Sequence, residues 1–173
     1  MMLSDLDYRL TCVIHNQAGR RRWLDRLAIF VARDLPFVLV AIPLGFFWRD
    51  VKGAAVYGVA VVLSQLVVIA IQAGIKRKRP FQREHLRPLF RLRVATTSIP
   101  SGHASLCATI LIFSAMGGSL FFWGAFVLSI GILFARVYAG LHYWSDILAG
   151  LLVGGFVAYG TALLAILFFL RFV

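Results

Sequence analysis

Long apolar runs, separated by short turns and clusters of charge, decide what this chain can become. Residues 53–75, 119–138 and 145–170 are apolar over about 20 residues or more, the length that crosses a bilayer. Residues 24–48 form a further run, interrupted by Arg33-Asp34 and carrying Pro36 and Pro43, both tolerable in a membrane helix. Residues 102–116 form a shorter one, ended by Gly117-Gly118. Hydrocarbon offers no partner to backbone N–H and C=O groups, so each crossing must be helical. Hydrophobic residues make up 61% of the chain and the mean hydropathy is +0.86. A soluble domain holds about 45–50% apolar residues. The expectation is therefore all-α: a multi-pass transmembrane helical bundle of about five spans, forming a single membrane-embedded domain over residues 1–173.

Ahead of the first span, residues 3–18 place Leu3, Leu6, Leu10, Val13 and Ile14 at helical spacing among Asp5, Asp7, Arg9 and Asn16. This pattern predicts an amphipathic helix lying in the membrane interface. Asp5 and Asp7 near the start argue against a cleaved leader with a basic head, so the apolar spans themselves would direct insertion. Cys12 and Cys107 lie in unrelated segments and make no framework.

The net charge is +11. These charges flank membrane spans, so anionic lipid headgroups, and not nucleic acid, are the expected partners. The long connection from Lys76 to Ile99 is the most basic segment, with Arg83, Arg87, Arg91 and Arg93 interleaved among Phe81, Leu86, Leu89, Phe90 and Leu92. It reads as a positive-inside loop or as an interfacial lid over a lipid phosphate, and the two are compatible. Five spans put the N-terminal segment, this loop and the Gly140–Ser145 turn on one face.

Polar residues of matching chemistry gather on that face. Pro100-Ser101-Gly102-His103 opens a helix: serine is a good N-cap, a helix start offers free N–H groups and a positive dipole end, and Gly102 allows close approach. Arg136 closes the fourth span, and His142 follows with Asp146 four residues on. Positions four apart share a helix face, so Asp146 is expected to accept a hydrogen bond from one His142 nitrogen and raise the basicity of the other. Arg79 and Arg136 offer planar forks that match phosphate oxygens. The other acids are scattered (Glu84, Asp34 and Asp50 among them), so no metal or other cofactor is expected.

Arg79-Pro80, Pro100-Ser101-Gly102-His103 and Arg136 with His142 and Asp146 resemble the type 2 phosphatidic acid phosphatase superfamily. Its pattern is Lys, six residues, Arg-Pro; then Pro-Ser-Gly-His; then Ser-Arg, five residues, His, three residues, Asp. The resemblance covers about residues 72–146. It implies a lipid phosphate substrate, His142 as the nucleophile of a phosphohistidine, and Asp146 as its orienting partner. His103 would protonate the leaving oxygen, and Arg79, Arg136, Ser101 and Gly102 would cradle the phosphate. The chain departs from the pattern twice. The family lysine falls at Gln72, with Lys76 read as one helical turn later on the same face and Lys78 as another candidate. The family serine before the arginine is Ala135.

The resemblance is to bacterial lipid phosphatases acting on undecaprenyl diphosphate, phosphatidylglycerol phosphate, phosphatidate or the 1-phosphate of lipid A. The compact N-terminal region looks most like the first type. A phosphotransferase with the same intermediate, or a non-hydrolytic lipid-phosphate-binding or translocating protein, are the alternatives. The face with the candidate residues holds 14 of the 18 basic residues, which by the positive-inside bias points to the cytoplasm. The resemblance implies the periplasmic side of a bacterial inner membrane. Oligomeric state has no signal in the sequence.

Overall fold

The computed structural model describes residues 2–82, 86–90 and 97–170, so the Arg83, Arg91 and Arg93 part of the expected lid lies outside the described residues. Among the described residues seven α-helices follow in order: α1 Met2–His15, α2 Arg22–Arg33, α3 Leu35–Phe46, α4 Val51–Gly74, α5 Gly102–Met116, α6 Ser119–Tyr138 and α7 Trp144–Leu170. No strand forms among the described residues, as the apolar runs require.

Local chemistry sets the boundaries. Pro36 sits in the first turn of α3 and has no N–H to give to the carbonyl of Ala32, so the 24–48 run breaks at Asp34. The two halves, α2 and α3, bend by 47°. Asp50 caps α4 by accepting from Gly53 N at 3.0 Å. Ser101 caps α5 by accepting from Ala104 N at 3.4 Å.

Helix α5 is the centre of the bundle, packed against α3, α4, α6 and α7. Its buried residues, among them Ala104, Cys107, Ile110 and Phe113, point to all sides. Tyr57, Leu39, Phe47 and Ile132 complete the core around it. Lipid tails are as apolar as these side chains, so close packing rather than exclusion from water holds the helices together. The closest approach is that of α5 and α7. A Cβ on Gly150 would stand 2.3 Å from the Ser101 carbonyl oxygen, and one on Gly154 would stand 2.1 Å from that of Ser105. Only glycine permits this contact.

Long apolar helices among the described residues account for three or four of the expected spans. The α4 and α6 helices and residues Trp144–Phe169 of α7 are long and apolar enough to cross a membrane, and α2 with α3 makes a fourth if the bent pair counts as one. Helix α5 has 15 residues. At 1.5 Å per residue it spans about 22 Å, short of the ~30 Å hydrocarbon core. Length alone therefore gives three or four crossings, and α5 is too short to be counted by that criterion.

Candidate active site

The end of the bundle where α4 and α6 finish and α5 and α7 begin holds a cavity of about 280 Å³. It is lined by Gln72, Arg79, Gly102, His103, Arg136 and His142, with Gln65, Val68, Ile69 and Leu106 toward the bundle interior. Arg79 and Arg136 are 5% and 3% exposed. The structure thus brings together five residues that the sequence places in three separate motifs.

His142 is held in one orientation. Its Nδ1 lies 3.0 Å from the Ser98 carbonyl oxygen, which can only accept, so Nδ1 carries the proton. Nε2 is then the bare nitrogen. Arg79 Nη1 approaches it at 3.1 Å and Arg136 Nη2 at 3.5 Å. Burial pushes the His142 pKa down to about 4; nearby Asp146 opposes this, and the two guanidiniums add to it. The imidazole is neutral at physiological pH, with its lone pair directed at two cations.

The guanidiniums are fixed by main-chain carbonyls. Arg79 Nη1 donates to Leu141 O at 3.2 Å, and Arg136 Nη1 to Ala32 O at 3.1 Å, at the break between α2 and α3. The buried Arg136 Nε has no hydrogen-bond partner among the described residues. A buried cationic donor left open beside a cavity fits an anionic ligand.

Asp146 departs from the expected arrangement. Its Oδ2 lies 3.6 Å from His142 Nδ1, too far for a hydrogen bond. The carboxylate instead accepts from Ser98 Oγ, from Tyr143 N at 2.8 Å and from Arg77 Nη1 at 2.8 Å. The reason is that α7 begins at Trp144, so His142 precedes the helix and the four-residue spacing does not put the pair on one helical face. Ser98 links the two: its hydroxyl donates to Asp146, and its carbonyl accepts from the His142 ring. Ser98 and Arg77 were not singled out in the sequence. Arg77 is one cation in a basic run, and a carbonyl's direction leaves no mark in the sequence.

The residues of the Pro100–His103 motif divide. Gly102 and His103 face the cavity, whereas Ser101 is fully buried, engaged in the cap, and its N donates to Asp146 O at 3.0 Å. Gln72 lines the cavity and donates from Nε2 to Pro100 O at 2.8 Å. Lys76 does not line it. Helix α4 ends at Gly74 and Ile75 is extended, so the helical face carrying Gln72 stops before Lys76. Lys76 is exposed beside an adjoining depression with Ile69, Gln72, Ala73 and Thr97. Lys78 is exposed and outside the cavity as well. Among the described residues no three His, Cys, Asp or Glu side chains form a metal-holding group.

Comparison with known proteins decides the family. Residues 53–169, from α4 to the end of α7, match the model of the PAP2 superfamily. The chain belongs to the PAP2 superfamily. It is 30% identical over 162 residues to YbjG of Escherichia coli K12, which bears a provisional assignment as an undecaprenyl-diphosphatase; the match covers 88% of this chain and 79% of YbjG. It is 25% identical over 144 residues to the undecaprenyl-diphosphatase of Sulfolobus acidocaldarius, covering 79% of this chain and 68% of that protein. Two solved PAP2-type structures share the fold. The phosphatidylglycerolphosphate phosphatase of Bacillus subtilis superposes with a TM-score of 0.72 at 21% identity, over 93% of this chain and 85% of that one. LpxE of Aquifex aeolicus gives 0.70 at 24% identity, over 89% and 93%. The chain is accordingly a multi-pass membrane phosphatase of the PAP2 superfamily, a hydrolase of lipid phosphates.

Proposed function

We propose that this PAP2 protein removes the terminal phosphate of a lipid diphosphate, undecaprenyl diphosphate before other lipid phosphates, through a phosphohistidine at His142. The observation that carries the reading is the bare Nε2 of His142, facing Arg79 and Arg136 across a cavity that also holds His103. Nε2 attacks the terminal phosphorus in line, and the bond from phosphorus to the bridging oxygen breaks. His103 donates a proton to that oxygen as it leaves. In the second half, His103 takes a proton from water, the oxygen attacks the phosphoryl group, and the bond to Nε2 breaks to release orthophosphate. Arg79, Arg136 (with its open Nε) and the N-terminal N–H groups of α5 stabilise the equatorial oxygens. The steps draw on these protein groups and water, and we propose catalysis without metal. The preference for a diphosphate follows the activities assigned to the two sequence relatives.

We further infer five crossings, with α2–α3 as one bent span and α5 as a short one. Gly102 lies at the cavity end of the bundle, and Met116 lies beside Asp50, Lys52 and Phe169 at the other, which supports α5 joining the two ends. The cavity would open to the periplasm of a bacterial inner membrane. Labelling Arg87→Cys from outside intact cells, in a background lacking Cys12 and Cys107, supports this; labelling only after lysis overturns it.

The test is phosphate release by detergent-purified protein in EDTA, wild type beside His142→Ala, on undecaprenyl diphosphate, phosphatidylglycerol phosphate, phosphatidate and lipid A. Release by wild type alone, fastest on the diphosphate, is the expected result. Activity surviving in His142→Ala refutes the nucleophile. Tight binding without release from any lipid supports a binding protein instead.

A further inference from the structure

Helix α1 lies outside the matched family region, yet it grips both ends of the turn that carries His142. At one end, His15 Nδ1 donates to Tyr138 O at 2.8 Å. The ring lies directly over Gly140, whose φ is +73° and where a Cβ would stand 2.8 Å from His15. At the other end, Asp7 Oδ1 accepts from Ser145 N at 3.1 Å, and Oδ2 accepts from Ser145 Oγ. Asp7 and His15 are eight residues apart on one helix face, about 12 Å along the axis. The chain between Tyr138 and Ser145 is thereby pinned at both flanks.

Asp7 also reaches the catalytic carboxylate. The Arg77 guanidinium donates from Nη2 to Asp7 Oδ2 at 2.8 Å, and from Nη1 to Asp146 Oδ1 at 2.8 Å. Its plane rests 4.2 Å from the centre of the Tyr143 ring. Asp146 is fully buried, and Asp7 is nearly so, with 11% of its side chain exposed. One guanidinium thus bridges two carboxylates and cannot settle on either alone. Asp7 completes its fork, and it also caps the first turn of α7 where a negative charge is favoured.

We propose that α1 is a working part of the catalytic centre, with Asp7 as a positioning residue that fixes Asp146, through Arg77, and the His142 turn, through Ser145. The proposal rests on the phosphatase reading above. Asp7 touches neither the cavity nor the phosphate-binding residues that line it. Its loss therefore acts on how His142 is aimed and not on how tightly lipid is held.

The experiment measures kcat and KM for phosphate release by Asp7→Ala, Asp7→Asn, Asp7→Glu, Arg77→Met and the Asp7→Ala/Arg77→Met double variant. All are compared as monodisperse protein with matched thermal transitions. Displacing a reacting group by about 1 Å costs on the order of 100-fold. Asp7→Ala is expected to lower kcat by about 10-fold or more with KM within twofold. Asp7→Glu should recover most of that loss. In the Arg77→Met background Asp7→Ala should cost less than in wild type, because part of its effect runs through Arg77. Asp7→Asn, of the same shape, serves if Asp7→Ala is not recovered folded, and should lower kcat with KM unchanged. Wild-type kcat in Asp7→Asn or Asp7→Ala, or equal losses in both backgrounds, overturns the proposal while leaving the phosphatase reading intact. Full activity of His142→Ala in parallel overturns both.

Discussion

Alanine at Gly150 or Gly154 forces α5 and α7 apart at known points. The new Cβ would meet the Ser101 carbonyl oxygen at 2.3 Å or that of Ser105 at 2.1 Å, and real contacts stay above about 3.0 Å. Relief requires a local separation of roughly 0.7 Å at Gly150 and 0.9 Å at Gly154, against backbone that has no rotamer to yield. Overpacking of this kind costs about 1–3 kcal/mol. The better helix propensity of alanine returns about 1 kcal/mol. Net destabilisation is therefore modest, and activity is the sharper readout. Ser101 precedes Gly102 and His103, so Gly150→Ala shifts the α5 N-terminus relative to His142. With about 100-fold per ångström as the scale, kcat should fall on the order of 10- to 100-fold. Gly154→Ala, one turn deeper, should lower the thermal midpoint more and kcat less. Gly155→Ala is the control, since nothing lies within 4 Å of its Cβ. The assay is phosphate release beside thermal unfolding in detergent. Wild-type kcat and midpoint in Gly150→Ala would refute the close contact and the alignment drawn from it.

Two further outcomes follow from the geometry of the cavity. With the His142 pKa pushed down to about 4, the neutral nucleophile persists as pH falls through the ordinary histidine range and is lost only near pH 4. The acid limb of kcat/KM belonging to the free enzyme should lie well below 6.5; a limb near 6.5, the same for mono- and diphosphate substrates, would refute the neutral buried imidazole. Gln72→Lys places a third cation on the cavity wall and should strengthen inhibition by inorganic phosphate severalfold, whereas weaker inhibition would show that the carboxamide bond to Pro100 matters more than charge.

The elements that read directly from the sequence are those set by hydrophobic length and by caps. The apolar run 53–75 predicts α4, which spans Val51–Gly74; α6 coincides with the run 119–138. Arg79, Gly102, His103, Arg136 and His142 were named from motif spacing and meet in one cavity. What stayed hidden depends on where helices stop. The four-residue spacing that puts Lys76 on the Gln72 face holds only inside a helix, and α4 has already ended. The direct His142–Asp146 bond failed for the same reason at the start of α7. Ser98 was invisible because its contribution to the ring is a carbonyl, common to every residue. The sequence pattern makes Asp7 only part of an interfacial helix, since contacts between segments 138 residues apart have no local signature.

With α5 as the short crossing proposed above, its shortness works as a depth gauge. A helix of about 22 Å inside ~30 Å of hydrocarbon cannot bring both its ends to the two surfaces at once. If its cavity end is the sunken one, the phosphate is met below the headgroup plane, beside Val68, Ile69 and Leu106. A lipid would then need only to slide sideways with its tail still in oil, while a water-soluble phosphate ester would have to shed its hydration before reaching the same arginines. Discrimination between the two kinds of substrate would then come from the length of one buried helix, without any residue that recognises the tail.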